Sequence, residues 1–167
     1  RVDLSITPFS IISLEENYKR WIELELNGAK TNLCIGGKID RVDKVDGQLR
    51  VLDYKTGNVE SLGFSKIEDL FDAEIKKPKK DVLQALIYSW GLSENLSNEA
   101  IQPAIYSLRS LFSESFSPNV KLNKNDVLFE EVKDDFEINL KQLVAEIYSE
   151  KNTFKQTEHI EKCQYCP

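Results

Sequence analysis

Two turn signals in the first third of the chain constrain its fold more than any other feature. Asn27-Gly28 and Asp46-Gly47 are dipeptides that favour positive φ at both central residues of a two-residue hairpin turn. The flanking segments alternate apolar with polar residues or are rich in β-branched residues, which is typical of strands. We therefore predict strands over 10–15, 18–26, 31–42 and 48–55, and expect hairpins to join the last three.

The rest of the chain indicates helices and one further strand. Residues 59–80 are polar and lysine-rich, with a predicted helical stretch near 67–71. A helix is predicted over 81–92 with Asp81 as N-cap, because apolar residues recur there at helical spacing: Leu83, Leu86, Ile87 and Trp90. A strand is predicted over 103–108. The amphipathic helix predicted over 134–150 has one apolar face, formed by Phe136, Leu140, Leu143, Val144 and Ile147. This order favours an α/β sandwich.

Composition narrows the class of protein. A chain of 167 residues with 41% hydrophobic and 30% charged residues is typical of one globular domain. The net charge of −6 argues against a general polyanion-binding surface, although it permits a local one. No apolar run approaches the ~20 residues of a membrane span. Three cysteines are too few for a disulfide framework, so a reducing, cytoplasmic setting is expected.

Two carboxylates and an amine are predicted to meet at one end of the sheet. Asp53 and Lys55 are two positions apart on a strand, so their side chains leave the same face. The preceding hairpin brings Asp40 within cross-strand reach. Such a group suits Mg²⁺, which takes hard oxygen ligands and fills its other positions with water and phosphate oxygens. The alternative is a surface hairpin with an incidental ion pair.

The motifs around these residues resemble a known family. They are Gly37-Lys38-Ile39-Asp40-Arg41-Val42-Asp43, then Asp53-Tyr54-Lys55-Thr56-Gly57, then Gln84 and Tyr88 on a helix, with Glu15 upstream. Over about residues 11–108 the spacing resembles the RecB/AddB-type nuclease domain of the PD-(D/E)XK superfamily. The resemblance implies a restriction-endonuclease-like α/β fold, with a mixed sheet flanked by helices. The chain lacks the first core helix with which that domain usually opens, and we expect it to be a fragment, a single nuclease domain over 1–167.

The resemblance also implies roles for individual residues. Asp40, Asp53, the backbone carbonyl of Tyr54 and, with less support, Glu15 (or its neighbour Glu16) would be metal ligands. Lys55 would be the catalytic lysine. Gln84 and Tyr88, at i and i+4 on one helix face, would contact DNA or the surroundings of the metal. A partly exposed helix face is the alternative for that pair.

The expected activity is Mg²⁺- or Mn²⁺-dependent DNA hydrolysis, by the exonuclease module of a helicase–nuclease that repairs double-strand breaks. DNA and a helicase domain or subunit are the expected partners, and no membrane is expected. The alternatives are an inactive DNA-binding or helicase-bracing domain and a stand-alone nuclease like those of CRISPR adaptation. Residues 160–167 look like a truncated cysteine-containing tail. Some family members hold an iron–sulfur cluster, so Cys163 and Cys166 could contribute to one only in a longer parent protein.

Three further interpretations concern residues outside this group. Lys76 to Lys80, which hold four lysines and Pro78, would contact DNA phosphates or form a solvated loop. Arg41 and Asp43 are expected to pair across the hairpin as structural residues. Cys34 is expected to pack as a small hydrophobic side chain in its strand.

Overall fold

The computed structural model describes residues 8–59, 61–96, 99–113, 116–149, 153, 156 and 158–160. Its strands are β1 (Phe9–Leu26), β2 (Ala29–Val45), β3 (Gln48–Lys55), β4 (Gly63–Phe64), β5 (Ile101–Ser107), β6 (Lys121–Leu122) and β7 (Asn125–Asp126). Its α-helices are α1 (Lys80–Ser93) and α2 (Lys133–Ile147), and short 3-10 helices span Glu68–Leu70 and Phe129–Glu131. No helix within these described ranges is long and apolar enough to cross a membrane.

The main sheet is mixed, with strand order β1-β2-β3-β5. The first three strands pair antiparallel, and β5 pairs parallel to β3 after the chain has crossed over through α1. A second sheet of three short strands has the order β4-β6-β7. A mixed sheet flanked by two helices confirms the predicted α/β class and is consistent with a restriction-endonuclease-like fold.

Both predicted hairpin turns are confirmed by their backbone angles. Asn27 and Gly28 have φ of 52° and 81°, and Asp46 and Gly47 have φ of 48° and 82°. Positive φ at both central positions gives a turn whose twist matches that of the flanking strands. The tight turns set the register of the β1–β2 and β2–β3 pairs, which in turn determines which side chains face each other at the site.

The main core lies between the sheet and the two helices. Helix α1 buries Val82, Ala85, Leu86 and Trp90 against sheet residues that include Ile39 and Val51, and α2 adds Phe136 and Leu140. Arg20 ties the two helices to β1. Its guanidinium lies 4.3 Å above the Trp90 ring and donates to Glu137 at 2.6 Å, and Glu137 also accepts a hydrogen bond from Trp90 Nε1 at 3.1 Å.

A buried ion cluster braces β2 against β3. Asp43 is fully buried and accepts two 2.8 Å hydrogen bonds from Arg50, its cross-strand partner, and a third from Arg41. Arg41 also donates to the hydroxyl of Tyr54 at 3.1 Å. The structural interpretation of Arg41 and Asp43 is therefore confirmed, and Arg50 is a member of the cluster that the sequence did not reveal.

Several local predictions are wrong. Helix α1 begins at Lys80, after Lys79, so Asp81 lies inside its first turn rather than at the N-cap. The two strands expected before Asn27 form one continuous strand with an irregularity between Ile11 and Ser13. Cys34 is exposed, because no described residue covers that side of the β1–β2 hairpin, where Cys34 faces Trp21 (64% exposed). Ile147, at the end of α2, is 67% exposed.

Candidate active site

Asp40 is positioned by the hairpin between β2 and β3. The paired register ends at Arg41 and Leu52, so the next residues along each strand are Asp40 and Asp53. The backbone N–H of Tyr54 donates to Asp40 Oδ2 at 2.8 Å, which anchors this carboxylate to β3. The turn geometry at Asp46-Gly47 therefore determines that Asp40 stands beside the Asp53–Lys55 segment.

Asp53 is a buried carboxylate that is paired with Lys55. It is 3% exposed, and Lys55 Nζ lies 2.9 Å from its Oδ2. This ion pair is the polar contact that the described residues provide for Oδ2. Burial raises the pKa of Asp53, proximity to Lys55 lowers it, and the charges of Asp40 and Asp81 raise it, with a net upward shift.

Lys55 is held from three sides. It is 2.9 Å from Asp53, 2.5 Å from Gln84 Oε1, to which it donates, and 3.9 Å from Asp81 Oδ1. Burial lowers the pKa of Lys55, but Asp53 and then Asp81 and Tyr88 raise it, and the net shift is upward. An ammonium with a raised pKa keeps its proton at neutral pH, so in this arrangement, which contains no cation, Lys55 is a positively charged donor.

Gln84 and Tyr88 continue a chain of contacts into the core. Gln84 Nε2 donates to Tyr88 Oη at 2.7 Å, which leaves Gln84 Oε1 oriented toward Lys55. Tyr88 packs edge-on against Tyr18, with ring centroids 5.9 Å apart. Burial, followed by the charge of Tyr88, raises the pKa of Tyr18 to about 12, so its hydroxyl stays neutral.

Tyr18 is a residue of this neighbourhood that the sequence reasoning missed. A Cβ at Gly91 would stand 2.2 Å from its ring carbons, and one at Gly37 would stand 3.1 Å from the ring. Glycine inside a helix and inside a strand often marks the close approach of another group. Gly91 and Gly37 were therefore the available sequence signal that a bulky side chain lies between β2 and α1.

Glu15 is placed differently from the other predicted ligands. The pairs Leu14–Arg41 and Glu16–Ile39 put its backbone across from Asp40, in a left-handed conformation with φ of 53°. Its carboxylate is 69% exposed and forms an ion pair with Lys38. Among the residues that the structure describes, no three His, Cys, Asp or Glu side chains converge as a metal cage. Glu15 is therefore not brought together with Asp40 and Asp53.

The donor set nevertheless fits a divalent cation. Asp40 and Asp53 supply hard carboxylate oxygens, and the buried Asp53 Oδ2 is met only by the Lys55 ammonium among the described residues, so it retains lone-pair capacity for a cation. The Tyr54 carbonyl, between Asp53 and Lys55, remains a predicted third ligand. Cys163 and Cys166, proposed from the sequence for a cluster in a longer protein, lie outside the described residues.

A cavity of about 390 Å³ opens beside Lys55. Its lining includes Lys55 and Gln84 together with Asp81, Lys80 and the segment 57–59. A ligand of a few hundred Å³ with phosphate groups would meet two lysine side chains there. The arrangement therefore combines a cation-binding carboxylate pair, a fixed ammonium and room for a phosphate-bearing group.

Comparison with known proteins agrees with this chemistry. The chain matches the sequence model of the PD-(D/E)XK nuclease superfamily over residues 6–167. Searches of curated proteins and of solved structures returned no match. The match spans nearly the whole chain, and the chain belongs to the PD-(D/E)XK nuclease superfamily, whose members typically use divalent metals such as Mg²⁺.

Proposed function

We propose that this chain hydrolyses DNA phosphodiester bonds with Mg²⁺ or Mn²⁺, as the exonuclease module of a cytoplasmic helicase–nuclease that acts in double-strand-break repair. The observation that carries the chemical part is the contact of Lys55 with both Asp53 and Gln84, beside Asp40 and at the edge of a cavity. The exonuclease and helicase parts are supported by the likeness of the Asp40, Asp53–Gly57 and Gln84/Tyr88 motifs to RecB/AddB-type nucleases.

Each residue of the site has a separate role in the proposed reaction. Asp40 and Asp53, with the Tyr54 carbonyl, would hold the cation. When bound, the cation increases the acidity of water and neutralises charge that develops on the phosphate. Lys55, charged at neutral pH, donates to the phosphate oxygens and stabilises their negative charge in the transition state. Gln84 accepts from Lys55 and is itself oriented by Tyr88, so it limits the directions in which the ammonium can point.

A cleavage assay on the full-length protein tests the proposal. Linear DNA labelled at one end and covalently closed circular DNA of the same sequence are incubated with Mg²⁺, with Mn²⁺ or with EDTA. We expect the metal-supplied reactions to shorten linear DNA from an end and to leave the circle intact. Lys55→Met and Asp53→Asn should each lower the rate by at least about 100-fold, because one removes the transition-state donor and the other a cation ligand.

Matched controls keep the outcomes distinct. Lys30→Met changes an exposed lysine of the β1–β2 hairpin that pairs with Glu23, and it should cut at the wild-type rate. Wild-type rates in well-folded Lys55→Met would overturn the catalytic assignment. Cutting of the circle would replace the exonuclease proposal with an endonuclease. DNA binding without any cleavage would favour the inactive, DNA-binding alternative.

A further inference from the structure

We propose that a lysine-lined groove leads away from Lys55 and binds the sugar–phosphate backbone of one unpaired DNA strand, an inference that rests on the proposed nuclease function. The groove consists of three adjoining cavities of about 390, 370 and 940 Å³. The first two share Asn58, Val59, Lys80 and Asp81, and the second and third share Ser61, Lys77 and Lys79. The three cavities therefore follow one another from the site to the small sheet β4-β6-β7.

Charge is distributed unevenly between this groove and the rest of the chain. Beyond Lys55, the lining contains six lysines, which are Lys76, Lys77, Lys79, Lys80, Lys121 and Lys124. Among the lining residues that the structure describes, the acidic ones are Asp69 and Asp81. The whole chain, in contrast, has 28 acidic and 22 basic residues. A local excess of lysine in an acidic protein indicates a site for a polyanion, because self-repulsion of lysines is relieved when phosphates bind.

The small sheet explains how lysines from two distant segments come together. Lys121 N–H donates to Leu62 O at 3.1 Å and Asn123 N–H donates to Phe64 O at 3.0 Å, which joins the β6–β7 hairpin to the segment around β4. On the other side, Lys79 Nζ donates to Ser61 O at 3.1 Å. The 61–64 segment therefore connects the 76–80 lysines with Lys121 and Lys124.

The turn of the hairpin presents Lys124 to the groove. Asn123 and Lys124 have φ of 50° and 74°, so both central residues of this tight turn are left-handed. Lys124 is exposed, whereas Lys121 is half-buried and lies 3.5 Å from Asp126. Lys124 therefore stands at the tip of a tight turn and lines the cavity of about 940 Å³.

The dimensions and lining favour one strand bound through its phosphates. Three small adjoining cavities of about 390, 370 and 940 Å³ can follow the phosphates of one flexible strand, whereas a rigid duplex could place only one of its two backbones in them. Phe64 is the aromatic residue of the lining and is 5% exposed, so among these described lining residues no aromatic face is open for base stacking. Binding should therefore be independent of sequence and strongly dependent on salt.

The salt dependence of binding tests the groove without relying on cleavage. A fluorescein-labelled oligo(dT) of about 12 nucleotides is titrated with the full-length protein in EDTA, and anisotropy is followed at about 0.05 to 0.3 M salt. Each phosphate contact contributes about 0.7 to the slope of log K against log salt. Lys121→Gln/Lys124→Gln should therefore flatten the slope by about 1.4. If the plots of log K against log salt for the variant and the wild type meet at about 1 M salt, the variant binds about 25-fold more weakly at about 0.1 M.

The controls separate a groove effect from general loss of charge or of folding. Lys19→Gln/Lys30→Gln removes the same charge from the exposed β1–β2 hairpin and should bind as tightly as wild type. Lys124→Gln alone, at an exposed position, should lose about 5-fold and serves if the double variant does not fold. Equal salt slopes for the groove variants and wild type would overturn the inference. It would also be overturned if a duplex of the same length bound as tightly as oligo(dT) and lost the same affinity in the groove variants.

The outcomes also distinguish the groove from the proposed catalytic activity. If the protein binds oligo(dT) through the groove lysines but does not cut DNA, the groove inference stands and the nuclease proposal is wrong. A protein that cuts DNA and is unaffected by the groove substitutions would retain the nuclease proposal and lose the groove.

Discussion

Replacing Asp53 with asparagine should make the metal-free protein more stable while it abolishes the response to metal. Asp53 is 3% exposed, and its charged neighbours are two carboxylates, Asp40 and Asp81, and one ammonium, Lys55. The pKa of Asp53 is raised above its ordinary value, mainly by burial. Its ionised form at neutral pH therefore costs folding free energy, which an uncharged asparagine of the same shape does not.

Two opposing effects determine how much Asp53→Asn changes the free energy of unfolding. Removal of the buried charge stabilises, whereas Lys55 loses its ion-pair partner and keeps the hydrogen bond to Gln84. The net gain should be about 1 kcal/mol, typical of the relief of a strained functional site, and should raise Tm by about 2 to 4 °C. In the wild type, a divalent cation at about ten times its Kd should add about 1.4 kcal/mol, or roughly 3 to 5 °C.

Thermal denaturation followed by circular dichroism measures both the Tm of the metal-free protein and its rise with Mn²⁺. Wild type, Asp53→Asn and Asp134→Asn are melted in EDTA and with Mn²⁺, Asp134 being an exposed carboxylate of α2. Asp134→Asn should show the same rise with Mn²⁺ as wild type, and its Tm in EDTA should fall by at most a few °C because it removes a carboxylate from the first turn of α2. A lower Tm for Asp53→Asn in EDTA would show that the Lys55 pair outweighs desolvation. An equal rise with Mn²⁺ in Asp53→Asn and wild type would place the cation elsewhere.

Three further outcomes are expected. Isothermal titration should show weak Mn²⁺ binding to the wild type and none to Asp40→Asn, and equal binding would refute the assigned site. Gly91→Ala should lower the free energy of unfolding by about 2 kcal/mol, because the alanine Cβ would stand 2.2 Å from the Tyr18 ring, although alanine favours the helix more than glycine does. In a Tyr18→Leu background, thermal denaturation should show that this loss largely disappears. The pKa of Tyr18 is raised to about 12 in the folded protein, from about 10 in the unfolded chain. Its neutral hydroxyl therefore stabilises the folded state fully below pH 10, and this stabilisation is lost as the pH rises through 12. The unfolding free energy should fall by about 2 kcal/mol between pH 10 and pH 12, and Tyr18→Phe should not show this fall.

Interactions between near neighbours in sequence determined much of the fold. The turns at Asn27-Gly28 and Asp46-Gly47 depend on the φ preferences of two residues each, so the sequence predicted them and both are confirmed. Alternation along a strand places Asp53 and Lys55 on one face, and helical spacing aligns Gln84 with Tyr88. These relations need no knowledge of the rest of the chain.

Contacts between distant segments were decided only by tertiary packing. Gln84 meets Lys55 across 29 positions, because α1 packs on the sheet through Val82, Ala85 and Leu86. That docking also brings Asp81 near Lys55 instead of leaving it as a helix cap.

The same limit applies to Tyr18, Cys34 and the groove. Tyr18 reaches the site only because Gly37 and Gly91, on two different elements, leave space for its ring. Cys34 is exposed because no element covers that side of its strand among the described residues. The groove lysines of 76–80 and 121–124 are joined by backbone hydrogen bonds to the segment 61–64. The free energy of such contacts depends on burial and on which elements dock, and no local pattern of residues contains that information.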